Sequence, residues 1–97
     1  MTDQSFHNEV ERAIALYEQE NKHYANRTRQ MIAKYGEIET LSLLMISADL
    51  QMGFQTLRDA GYLDKTFEAV VVRFQHLFKP DVVEAAQWRL NHPYQLL

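Results

Sequence analysis

Residues 17–36 read YEQENKHYANRTRQMIAKYG, a polar passage between two apolar ones. Whether it is a loop or the middle of a helix decides the architecture. The positions Phe6, Val10, Ala13, Tyr17, Tyr24, Met31 and Tyr35, joined by Asn21 and Thr28, recur in steps of three or four. That is the spacing of one helical stripe, and a loop has no reason to keep its phase. Neither glycine nor proline occurs between Gln4 and Tyr35. The spacing therefore predicts a single helix over about 4–35, on the order of 45 Å long at ~1.5 Å per residue. Thr2, Asp3 or Ser5 can cap its start, and Gly36 can take the left-handed position after its end.

The glycines and prolines that do occur divide the rest of the chain. The segment 37–60 carries two apolar rows, Ile38, Leu41, Met45, Ala48 and Met52 on one side and Leu43, Ile46, Leu50, Phe54 and Leu57 on the other. A helix apolar on two sides is normally buried between neighbours, so this segment reads as the core helix, antiparallel to the first. Asp64 is placed to cap a third helix over about 65–78, with Phe67, Val70 or Val71 and Phe74 facing inward. Pro80 ends it, and Asp81 with Glu84 makes a capping-box variant for a fourth helix over about 82–90. Tyr94 to Leu97 form a short tail that is expected to fold back on the bundle. The expectation is one all-α domain over 1–97, in a four-helix arrangement. A long helical hairpin (about 4–35 and 37–60) is followed by two shorter helices.

Charge is distributed unevenly along the first segment. Up to Glu20, the acids Asp3, Glu9, Glu11, Glu18 and Glu20 face Arg12 alone, whereas Lys22, Arg27, Arg29 and Lys34 stand unopposed before Gly36. Acids at a helix start and bases at its end complement the macrodipole. The same asymmetry would also let two antiparallel copies attract each other. The first helix is expected to outreach the shorter helices, leaving apolar surface of the kind that usually marks an interface.

The composition limits the possible chemistry. With no cysteine among its 97 residues, the chain has no disulfide or thiolate metal site. It starts with neither a cationic nor an apolar leader, and no run approaches the ~20 apolar residues of a membrane span. Glu20 and His23 have the Glu-x-x-His spacing of carboxylate-bridged metal bundles, which require the motif twice. Here it occurs once, and His7 with Glu11 is a second helical pair near the terminus, so all four read as solvated side chains. Ser42 and Ser47 lie within an apolar helix without a glycine turn to expose them, and helical serines there commonly bond a preceding carbonyl. No catalytic, cofactor, metal or small-molecule site is expected.

These features point to a small, non-enzymatic, cytoplasmic protein that acts by protein–protein contact, as a regulator, inhibitor, adaptor or assembly subunit. It would form a homodimer or take a helical partner through its first helix. The surface expected to carry that contact comprises Val10, Tyr17, Asn21, Tyr24, Thr28 and Met31, flanked by Lys22 and Arg27. The alternative is a nucleic-acid-binding regulator resembling a helix-turn-helix. It would use the third and fourth helices, with Gln87, Arg89 and Asn91 as readers, or the basic half of the first helix.

Overall fold

The structure, a computed structural model, describes residues 3–47 and 51–95. All regular structure among them is helical. Six α-helices follow in chain order: α1 (Asp3–Asn21), α2 (Asn26–Tyr35), α3 (Glu37–Ile46), α4 (Gln51–Asp59), α5 (Phe67–Arg73) and α6 (Pro80–Asn91). Short 3-10 turns at Leu63–Lys65 and Gln75–Leu77 flank α5. None of these helices is long and apolar enough to cross a membrane.

The expected rod over 4–35 is interrupted. The molecule is only 33 Å in its longest dimension, shorter than such a rod. The chain leaves the helix at Lys22, whose φ is 60°, a left-handed conformation that costs an L-residue roughly 1–2 kcal/mol. α2 then runs back along α1, so that Glu37 reaches His7, with 2.7 Å between Oε2 and Nδ1. Glu18 holds the reversal. Its Oε2 accepts from the Ala25 N–H at 2.7 Å and from Arg29 Nε at 2.8 Å, while Oε1 accepts from Arg29 Nη2 at 3.0 Å. A forked arginine–carboxylate pair of this kind is among the stronger polar contacts, and Ala25 is buried beside it. Arg29, one of the four cations of the first segment, is thus met within the chain by the acids Glu18 and Glu11.

Gly36 alone links α2 to α3. Its φ of 87° and ψ of 167° lie in a region that essentially only glycine occupies. α3 ends at Ile46, so the expected continuous helix over 37–60 is also interrupted; Ala48, Asp49 and Leu50, which fall within that span, lie outside the described residues. The cause is tertiary. Arg89 Nη2 donates to the carbonyls of Met45 and Ser47 at 2.8 and 3.2 Å, acceptors that a continuing helix would use itself. Nor is α3 buried all round: Thr40, Leu41, Leu44 and Met45 face inward, whereas Ile38 and Ile46 are exposed.

α5 is shorter than the expected third helix, and Thr66 rather than Asp64 caps it. Thr66 Oγ1 accepts from the Ala69 N–H at 3.2 Å, while exposed Asp64 pairs with Lys65. α6 begins at Pro80, where the missing N–H costs nothing, and Asp81 Oδ1 accepts from the Val82 N–H instead of closing a capping box.

The core collects Phe6, Val10 and Ile14 of α1, Leu41, Leu44 and Met45 of α3, Val70 and Val71 of α5, and Val82 and Ala86 of α6. Phe6 meets the edges of Phe74 and Phe78 with ring centroids 5.3 and 6.0 Å apart, contacts that add about 0.5–1.5 kcal/mol each beyond burial. In the tail, Tyr94 remains exposed beneath the Arg58 guanidinium, and Arg58 Nη1 donates to the Pro93 carbonyl. Leu96 and Leu97, the end of that tail, lie outside the described residues.

A candidate partner-binding groove

Where α2 folds back, its first turns stand opposite α3, α4 and the start of α5 and leave a cavity of about 820 Å³. Ile14, Leu44, Phe54 and Leu57 form its buried floor, with Tyr17, Met31, Leu43 and Phe67 as half-buried walls. Exposed Tyr24, Asn26 and Arg27 stand at the mouth. Gly53 on α4 adds no side chain, and the Tyr17 ring lies 3.9 Å from where its Cβ would be. The groove therefore owes part of its width to one glycine.

Five of the eight positions expected to form a contact surface line this one groove: Tyr17, Tyr24, Arg27, Thr28 and Met31. They meet because α1 and α2 are separate helices, so the straight stripe that selected them is not the reason they converge. The other three lie elsewhere. Val10 is fully buried in the core and so is unavailable to a partner. Asn21 donates through Nδ2 to the Tyr17 hydroxyl at 3.2 Å, a contact internal to α1. Lys22 forms the exposed left-handed turn.

A buried carboxylate also lines the groove. Glu68, 2% exposed, lines the inner end of the groove and accepts from Arg89 Nη1 at 2.7 Å. Desolvation by burial pushes its carboxyl above the ordinary value, against the opposing pull of Arg89. Arg89, assigned to base reading in the helix-turn-helix alternative, is 7% exposed and turned toward Glu68 and the end of α3. Among the proposed readers, Gln87 and Asn91 stay exposed. The basic stretch is likewise drawn into internal contacts: Arg29 binds Glu18 and lies over the Tyr24 ring, and Lys34 lies over that of Tyr35.

The helical pair Glu20 and His23 is separated, because His23 falls in the turn after α1. Ser42 Oγ donates to the Ile38 carbonyl at 2.8 Å, as expected for a helical serine. The contacts that shape the groove join residues 11 and 21 positions apart, Glu18 with Arg29 and Glu68 with Arg89. No helical periodicity signals such pairs. In comparisons with protein-family models, curated proteins and solved structures, the chain matches none.

Proposed function

We propose that this chain is a non-enzymatic cytoplasmic binding protein that takes the apolar face of a partner's helix into the groove between α2 and α4. The observation that carries the reading is the convergence of Tyr17, Tyr24, Thr28 and Met31 on one apolar cavity with Arg27 at its mouth. Amphipathic helices bind such grooves through side chains at i, i+3, i+4 and i+7, and tyrosines provide large contact area at low entropic cost. Arg27 favours a partner helix with a carboxylate beside its apolar face. Regulation, inhibition, scaffolding and assembly all proceed through contacts of this kind.

Self-association through an uncovered rod loses its geometric premise, since α2 folds back on α1. A second copy remains a distinguishable outcome of the experiment. The tagged full chain is used to capture partners from its own cells, alongside Thr28→Trp, which fills the groove, and Tyr24→Ala, which strips its mouth. The expected result is a partner protein lost from both variants while the melting temperature changes by no more than a few degrees. An identical set of captured proteins for all three chains would overturn the reading. Concentration-dependent dimerisation in sedimentation, abolished by Thr28→Trp, would reassign the groove to a second copy.

A further inference from the structure

We propose that His7, Glu11 and Glu37 form a binding site for a first-row divalent cation, with Zn²⁺ as its best occupant. The ligand atoms of these residues lie within 4.8 Å of one another. His7 and Glu11 are one helical turn apart on α1, and Glu37 arrives from the first turn of α3, thirty residues from His7, with its Oε2 2.7 Å from Nδ1. Zinc binds imidazole nitrogen and carboxylate oxygen at about 2.0–2.2 Å, which sets tetrahedral ligands about 3.4 Å apart. Small movements of three solvent-reaching side chains separate His7 from Glu37 by that amount and bring Glu11 closer.

Two features distinguish the group from an ordinary surface ion pair. One imidazole needs only one acid, yet two carboxylates from separate helices converge on it. With His7 neutral, the group carries a double negative charge that a divalent cation balances. Among the described residues, Arg29 is the cation paired with Glu11, and its Nη1 is 3.5 Å from Glu11 Oε1, a distance at the limit of a hydrogen bond. Arg29 is already held in a forked contact by Glu18, so Glu11 can turn to a metal without breaking a strong bond. The mixed nitrogen and oxygen donor set favours zinc over magnesium or calcium, which prefer all-oxygen sites. The bound ion would tie the start of α1 to the start of α3.

The test is calorimetric titration of the full chain with ZnCl₂, with MgCl₂ and CaCl₂ in parallel. The same titrations are run on His7→Ala, Glu37→Gln and His23→Ala, and circular dichroism confirms that each is folded. The expected result is one zinc per chain, with affinity reduced by at least about tenfold in His7→Ala and Glu37→Gln and unchanged in His23→Ala. A cobalt-substituted sample should show visible bands that disappear in His7→Gln, a readout that works even if the alanine variant misfolds. The proposal is overturned by zinc binding that survives His7→Ala, by no binding at millimolar zinc, or by tighter binding of magnesium or calcium.

Discussion

Two of the acid–arginine pairs in this molecule behave oppositely. Glu18 and Arg29 clasp the α1–α2 reversal at the edge of the fold, with side chains 18% and 28% exposed. Glu68 and Arg89 join α5, α6 and the end of α3 in the interior, at 3% and 9%. In the outer pair the bond from Arg29 outweighs desolvation, and the Glu18 carboxyl falls below its ordinary value. In the inner pair desolvation dominates, and the Glu68 carboxyl rises. Identical chemical partners thus give opposite shifts because burial differs. The outer pair supports α2, which contains no buried residue, whereas α5 buries Glu68, Ala69, Val70 and Val71.

The largest expected effect comes from breaking the inner pair. Arg89→Ala leaves Glu68 buried without its cation and should cost about 3–5 kcal/mol in denaturant unfolding. Arg89→Lys should recover only part of this, because an ammonium cannot reproduce the fork that reaches one carboxylate and two carbonyls. At the outer pair, Arg29→Ala should cost about 1–2 kcal/mol. That loss should appear first as faster amide exchange in residues 26–35, while the core remains protected.

Acid titration sharpens the contrast through its sign. Glu18, lowered from 4.5, contributes stability that is fully present above that value and is lost as pH falls through its folded value. The advantage of wild type over Glu18→Gln should therefore shrink on acidification below about pH 4.5. Glu68 is raised from 4.5, so its contribution is fully present below that value and is lost as pH rises through the folded one. Wild type should accordingly gain on Glu68→Gln as pH falls through the raised folded value toward 4.5, a window that lies above that of Glu18. Difference curves of the same sign would end the comparison. The smallest effect concerns the groove itself. Gly53→Ala should raise stability by about 0.5–1 kcal/mol, since the added methyl meets the Tyr17 ring at an ordinary 3.9 Å.

Helical class and the break at Gly36 were legible because glycine and three-to-four spacing act locally, whereas Pro80 marked the start of α6 and not the end of α5, which stops at Arg73. The reversal at Lys22 was not legible, because it uses neither glycine nor proline and depends on a glutamate and an arginine eleven residues apart. The end of α3 was equally hidden, being set by Arg89, 44 residues beyond Met45. The apolar stripe mixed residues of different fates, with Phe6, Val10 and Ala13 buried but Tyr24 and Tyr35 exposed, because periodicity cannot tell an internal neighbour from an external one. Val10 went to the core and Tyr24 to the surface for that reason.

Trp88, the sole tryptophan, is about half exposed on α6, with its indole stacked on the His92 imidazole at 4.4 Å. Its emission therefore reports the stack at the end of α6 more directly than the packing of the interior. A fluorescence melt would monitor the C-terminal end of the molecule, and far-ultraviolet dichroism would follow the helices as a whole.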